Sequence, residues 1–412
     1  MLNQTKNNLL LLYKAVRQRT KDLIVNLYPE DTVIQTESFV SPTKWHLAHT
    51  TWFFENFILK EYLKGYKIFN KNYNFLFNSY YNAVGVYNEK NKRGYVSRPF
   101  LKEIISYRDY VDSYIEDFFS KSNNLLNHKF AFQLGINHEE QHQELILMDI
   151  LNVFYNNPFK PNFANNKLNI NTKNRNKVSK WITFNKTILE YGSKDDTFCY
   201  DNETPTGKIE LTDFQIQSNL VTNKDWKDFI SNDGYDRHEF WLSDGWNYIK
   251  QNKIQRPLYW IDNQSHFTLN GLSKIKDHQP VSHISFYEAD AYARFKKKRL
   301  PSEFELELCL SKSKKQGNFL ENMIFEPLGE INENSFFGDL WTWTSSNYTP
   351  YKNYKAFGEK FAEYNGKFMC NQFVLKGGCC LTPIDHVRAS YRNFYYPGDR
   401  WQFSGIRLAN DI

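Results

Sequence analysis

Apolar residues recur at helical spacing through the first part of the chain. One such stretch runs from Asn8 to Leu27. A second begins at Ser41-Pro42, where serine suits an N-cap and proline the first helical position, and continues through Trp45, His49, Trp52 and Phe53. A third covers Ile104 to about Leu126. A fourth, Lys129 to Tyr155, carries Phe132, Ile136, Leu145, Met148 and Leu151 with few breakers between them. Together they predict a four-helix bundle over residues 1–155. The pattern dissolves at Asn156-Asn157-Pro158, and an Asn-, Lys- and Pro-bearing stretch predicts a linker over 156–180. From 181 to 412 short strand-like runs (Ile188–Tyr191, Lys208–Thr212, Phe373–Lys376) alternate with turn residues. Two helix-like pieces interrupt them, Thr222–Asn232 and Ser285–Lys297. The tryptophans Trp241, Trp246, Trp260, Trp341, Trp343 and Trp401 are expected in loops. The fold class is therefore α+β and multidomain, a helical bundle followed by a loop-rich α+β domain.

Composition narrows the function classes. With 412 residues, 41% hydrophobic and 17% aromatic, the chain can bury more than one core. Its 52 Lys and Arg against 46 Asp and Glu give a net charge of +6, scattered rather than clustered, so no nucleic-acid partner is expected. No run approaches the ~18 apolar residues of a membrane span, and Leu9-Leu10-Leu11-Leu12-Tyr13 is too short for a signal peptide. The five cysteines Cys199, Cys309, Cys370, Cys379 and Cys380 are odd in number and include a vicinal pair, which points to a reducing, cytoplasmic compartment.

The chemistry concentrates in Asn137-His138-Glu139-Glu140-Gln141-His142. Residues four apart share a helical face, so His138 and His142 can chelate one ion. Trp45-His46-Leu47-Ala48-His49 offers a third imidazole on another helix, from either histidine. Imidazole suits iron, copper, nickel and zinc alike. His138-Glu139-x-x-His142 also satisfies the zinc-peptidase pattern with Glu139 as base. A downstream third ligand is wanting, however, since the chain runs into a polar linker.

The residues Leu47-Ala48-His49 and His138-Glu139-Glu140-Gln141-His142 resemble the DinB-like bundle of the sulfoxide synthases of ergothioneine biosynthesis. Arg299-Leu300-Pro301-Ser302-Glu303, Trp341-Thr342-Trp343-Thr344-Ser345-Ser346, Lys376-Gly377-Gly378, Arg388-Ala389-Ser390-Tyr391-Arg392-Asn393 and Trp401-Gln402-Phe403-Ser404-Gly405-Ile406-Arg407-Leu408-Ala409 resemble the formylglycine-generating-enzyme-like, C-type-lectin-like domain fused to it there. The resemblance implies a non-haem Fe(II) enzyme with its site in a cleft between the two domains. It would join the sulfur of cysteine, or of γ-glutamylcysteine, to C2 of the hercynine imidazole, with O2 as oxidant and a sulfoxide as product. Zinc-dependent hydrolysis or DinB-like thiol transfer at the same histidines is the alternative.

Carried over by residue, the resemblance implies His49, His138 and His142 as metal ligands, with His46 supporting or structural. Tyr80 and Tyr81, in Phe77-Asn78-Ser79-Tyr80-Tyr81, would be catalytic proton donors, as in the cysteine-accepting branch. Tyr391, Tyr395 and Tyr396 are alternatives from the γ-glutamylcysteine branch. Asn393, Phe394 and Tyr395 match the betaine-binding segment, where a trimethylammonium group needs ring faces and oxygen dipoles. Gln141 would bind the substrate imidazole or a water. Arg93 and Arg98 are candidates for the thiol substrate's carboxylate; Arg392 is either a further one or purely structural. Formylglycine-generating enzymes hold copper on paired cysteines, but neighbours on a strand face opposite ways, so Cys379 and Cys380 are expected to be core residues. The chain ends shortly after Ala409, without the methyltransferase domain of ovothiol-forming relatives, which favours hercynine over histidine as acceptor.

Overall fold

The first unit of the chain is built on α1 (Leu2–Asp22), α2 (Thr43–Phe54), α3 (Leu101–Lys121) and α4 (Lys129–Asn156). The computed structural model describes residues 2–121, 125–164, 179–194, 198–329 and 335–412. It divides into two units, Met1–Phe163 and Ala164–Ile412. Residues 122–124 of the third expected helix and 165–178 of the expected linker lie outside the described residues.

Helix α2 packs on both α3 and α4, and α1 packs on α3 and α4. All 12 residues of α2 are buried, although half are polar or charged. Such a helix is tolerated inside only if its polar groups find partners. They do: the Thr51 hydroxyl donates to the Leu47 carbonyl at 2.8 Å, and Arg108 of α3 donates to the Leu47 carbonyl and the Thr50 hydroxyl, both at 3.1 Å. One expectation fails at the start of α2. Pro42, not Ser41, occupies the N-cap, and no side chain caps it. Ser41 is held elsewhere, its N–H donating to Asp149 at 2.8 Å and its hydroxyl accepting from Arg93 at 3.0 Å. Tertiary bonds outweigh the local capping preference. Helix α1 likewise starts and ends several residues earlier than its apolar pattern indicates.

Gly135 sets how closely α4 approaches α2. A β-carbon there would stand 2.6 Å from Cε1 of Phe54 and 3.3 Å from Cδ1 of Phe53, and both rings are buried. The approach brings α2 against the turn of α4 that carries His138. Gly135→Ala should therefore destabilise the protein by about 1–3 kcal/mol, as overpacked cores do. Denaturant unfolding of the metal-free protein measures this, and an unchanged midpoint would show that the rings move aside.

The second unit contains β1 (Trp181–Phe184), β2 (Thr187–Tyr191), β3 (Gly207–Leu211), β4 (Phe214–Gln217), α5 (Asn223–Ser231), α6 (Ser243–Gln251), β5 (Ser265–Thr268), β6 (Gly271–Lys274), α7 (Phe286–Phe295), α8 (Glu303–Lys312), β7 (Trp341–Asn347), β8 (Phe373–Lys376), β9 (Asn393–Tyr395), β10 (Ser404–Gly405) and β11 (Ala409–Asp411). Strands order as β1-β4-β11 and β10-β7-β8-β9, with hairpins β2-β3 and β5-β6. Helices α5, α7 and α8 each begin with a reciprocal cap, Thr222 with Asp225, Ser285 with Glu288 and Ser302 with Glu305.

Two expectations for this unit fail. Helices α6 and α8 add to the two expected helical pieces; α6 starts at Leu242-Ser243 without a side-chain cap, so its local signal is weak. Trp246 lies on α6. Trp341 and Trp343 are buried on β7, in a four-residue run with no exposed position to mark a strand by alternation. Arg392 is committed to structure, pairing with Glu303 at 2.7 Å and donating to the Asn202 and Thr349 carbonyls. Cys379 and Cys380 are fully buried, and the Cys379 sulfur accepts from the Leu381 N–H and the Thr382 hydroxyl.

Candidate metal centre

His138 and His142 project from one face of α4 toward His49 on α2. The three imidazoles are buried, and one nitrogen from each lies within 4.8 Å of the others. Ring centroids are 4.9 Å apart for His49–His138, 4.8 Å for His49–His142 and 4.6 Å for His138–His142. Among the described residues this is the one group of three or more His, Cys, Asp or Glu with such spacing.

Burial disfavours the charged imidazolium, and each ring's neighbours are other imidazoles. His49 and His142 are both held well below the ordinary histidine value, first by burial and then by the facing His138; burial brings His138 down to about 3. All three are thus neutral near pH 7, the form that binds a metal.

Hydrogen bonds identify which nitrogen points inward. His49 Nδ1 lies 2.6 Å from the carbonyl of Phe77, which can only accept, so Nδ1 carries the proton and Nε2 the lone pair. That Nε2 faces Nε2 of His138 at 3.2 Å. Two imidazole nitrogens bound to one ion at ~2.1 Å and roughly at right angles stand ~3 Å apart, so the spacing fits a shared divalent ion. The residues present fit such a metal.

His46 does not face the trio. Its Nδ1 meets Nδ1 of His142 at 2.8 Å, and its Nε2 meets Asp149 at 3.0 Å. Asp149 was not singled out from the sequence, though it lies seven residues after His142, two turns along the same helical face.

The carbonyl that fixes His49 ends a one-turn helix, Tyr73–Phe77. The Trp45 indole N–H pins the same turn by donating to the Leu76 carbonyl at 3.0 Å. Asn78 then folds the following loop, accepting from the Tyr81 N–H and donating to the Tyr81 carbonyl. Tyr81 is buried. Its ring lies 6.5 Å from Phe53, which packs 4.7 Å from His138, and 5.8 Å from Trp52, which stacks on His49. Half-buried Tyr80 stacks on Tyr81 at 4.7 Å. Tyr81 is therefore one ring away from two of the three histidines.

Arg93 is buried, with its guanidinium 3.4 Å above the Trp45 ring and donating to the Ser41 and Ser79 hydroxyls. Trp45 in turn stacks on His49 at 4.5 Å. Burial lowers Arg93 to about 9, and among the described residues no carboxylate pairs with it. Arg98 is exposed and lies over Phe100. Gln141 is half-buried on α4. In the second unit, half-buried Asn393, Phe394 and Tyr395 form β9, at the edge of its sheet. Phe394 stacks on Tyr348 at 4.1 Å and Tyr395 meets Trp401 edge-on.

Glu139, the base of a peptidase reading, is unavailable. One helical residue beyond His138 it points toward α1 and α3, where Arg17 reaches it at 2.9 Å and Arg108 and the Thr20 hydroxyl at 2.7 Å. Burial alone would raise its pKa, but the two guanidiniums prevail and hold it at about 2. A carboxylate so engaged is a poor proton acceptor for a water at the histidines.

Comparison with known proteins follows the same lines. The sulfatase-modifying factor enzyme 1-like domain (FGE-sulfatase) matches residues 167–336 and 322–412. The hercynine oxygenase of Mycolicibacterium thermoresistibile is 27% identical over 323 residues, covering 69% of this chain and 69% of the relative. That of Mycolicibacterium smegmatis is 28% identical over 323 residues, covering 69% and 72%. Ergothioneine biosynthesis protein 1 of Schizosaccharomyces pombe is 26% identical over 235 residues, covering 52% of this chain and 28% of the relative. Among the described residues no helix is long and apolar enough to cross a membrane. These likenesses bear out the resemblance drawn from the motifs and the oxidoreductase class it carries. With the match spanning more than half of its length, the chain belongs to the FGE-sulfatase family, as a protein of the ergothioneine sulfoxide synthase type.

Proposed function

We propose that this chain is an Fe(II)- and O2-dependent sulfoxide synthase of ergothioneine biosynthesis, joining the sulfur of cysteine or γ-glutamylcysteine to C2 of hercynine. Its N-terminal helices are read as the DinB-like bundle. The observation that carries the proposal is the convergence of three buried, neutral imidazoles, a group that among the described residues includes no carboxylate. Iron held there by His49, His138 and His142 would supply a doubly charged centre that favours a thiolate over a thiol, together with one-electron redox chemistry.

The rest falls to side chains. Tyr81, with Tyr80 stacked on it, holds a phenolic proton next to the ring shell of the site and delivers it as oxygen is reduced. Arg93, buried without a carboxylate partner among the described residues, is suited to take the carboxylate of the thiol substrate. Exposed Arg98 has less to recommend it. Gln141 offers its amide to the substrate azole or a water. Asn393, Phe394 and Tyr395 offer an amide oxygen and two rings to a trimethylammonium group. The clamp on Glu139 weighs against the hydrolase alternative.

The test is anaerobic reconstitution with Fe(II), then oxygen uptake with hercynine and either thiol, products being identified by mass. Uptake dependent on both substrates, with a sulfoxide product, is expected; absence of thiol-dependent uptake would reject the proposal. Within that assay, Tyr81→Phe or Tyr80→Phe should lower C–S product by ~100-fold, the usual share of a general acid, and raise oxidised thiol. Unchanged product ratios in both single variants and the double variant would remove the tyrosines from this role.

A further inference from the structure

The histidine expected to be supporting or structural, His46, carries the inference. Asp149 Oδ2 accepts the Ser41 backbone N–H at 2.8 Å, which marks that oxygen as an acceptor. His46 Nε2, 3.0 Å from the same oxygen, is therefore the protonated nitrogen. A neutral His46 then presents a lone pair at Nδ1, and His142 Nδ1, 2.8 Å away, must donate to it. The lone pair of His142 is left on Nε2. Four groups from α4, α2 and the loop before it thus specify one tautomer, and all are buried.

We propose that Asp149, acting through His46, is a positioning residue that sets the tautomer of His142 and aims its Nε2 into the three-histidine centre. His49 needs no such device, because the Phe77 carbonyl holds its Nδ1 directly. His142 is on a different helix, and the group that faces its Nδ1 is another imidazole, which could equally donate or accept. Only the carboxylate beyond it removes that ambiguity. The arrangement also keeps the negative charge one ring away from the ligand, so it polarises His142 without competing for the ion.

The inference rests on the three-histidine reading, and the experiment separates their failures. Co(II) alone is the probe, with three measurements on each protein: melting of the metal-free form, the Co(II) dissociation constant by chelator competition, and the visible d–d spectrum. His46→Phe combined with Asp149→Leu removes the relay but leaves the buried Ser41 N–H and His142 Nδ1 without their acceptors, so without metal the double variant should melt lower than the wild type. Where it is folded, it should bind Co(II) about 10- to 100-fold more weakly and show an altered d–d band. Asp149→Asn keeps the shape, removes the charge and should shift the same readings in the same direction by less. It decides the matter should the double variant not fold. Wild-type affinity and a wild-type band in a folded variant would overturn the relay. No Co(II) uptake by the wild type would instead overturn the three-histidine centre.

Discussion

His138→Ala and His49→Ala should each abolish metal loading and turnover together. His138 and His142 lie four residues apart on one helix, so a two-coordinate remnant survives when His49 is lost, and a remnant split between α2 and α4 survives when His138 is lost. Either remnant should bind far more weakly than the trio. The loss should exceed the ~10–100-fold typical of removing a group that merely orients a ligand. Thermal melting reports it without an activity assay. Free metal at a hundred times its dissociation constant stabilises a folded protein by about 2.7 kcal/mol, so the wild type should melt higher with added metal while both variants should not. Metal content after reconstitution gives a second reading. Full metal content and full activity in both variants would remove these residues from the centre.

The spacing of His138 and His142 was legible because it is local: four residues on one continuous helix fix a shared face whatever surrounds it. The strand Phe373–Lys376 and the helical pieces beginning at Thr222 and Ser285 were legible for the same reason. Long-range partners were not. His46 reaches Asp149 across 103 positions and Glu139 reaches Arg17 across 122, and no window along the chain contains both members of either pair. The peptidase pattern at His138-Glu139-x-x-His142 shows the consequence. Written along the chain, the glutamate sits beside two ligands; on the helix it is turned by ~100° from His138, toward two arginines that the pattern does not include. Ser41-Pro42 fails similarly, because a capping preference of ~1 kcal/mol competes with bonds to Asp149 and Arg93 that only the folded unit supplies. Trp341 and Trp343 were misplaced for a different reason: a strand buried on both faces has no alternation to read.

Glu139 gives a further expected result, in which Glu139→Ala destabilises the helical unit by about 3–5 kcal/mol, as breaking a buried ion pair from one side does. Glu139, Arg17 and Arg108 are all nearly inaccessible to water, at 0%, 3% and 0% exposure. Arg17 would retain Asp112 at 2.7 Å, while Arg108 would keep only carbonyl and hydroxyl acceptors. A buried guanidinium without a carboxylate is the costly product. The same ion triad gives an acid dependence of definite sign. The folded carboxyl titrates at about 2 against an ordinary 4.5. Its contribution is therefore complete above about 4.5 and is lost as pH falls from there toward 2. In Glu139→Gln, which keeps the shape and cannot ionise, stability should be lower near neutral pH and should lack this component of the acid loss. Denaturant unfolding of the metal-free wild type and both variants from pH 7 downward measures both effects. A catalytic base would behave in the opposite way, since its removal leaves stability intact and eliminates turnover. Wild-type unfolding in Glu139→Gln together with lost activity would return Glu139 to the chemistry and reopen the hydrolase reading.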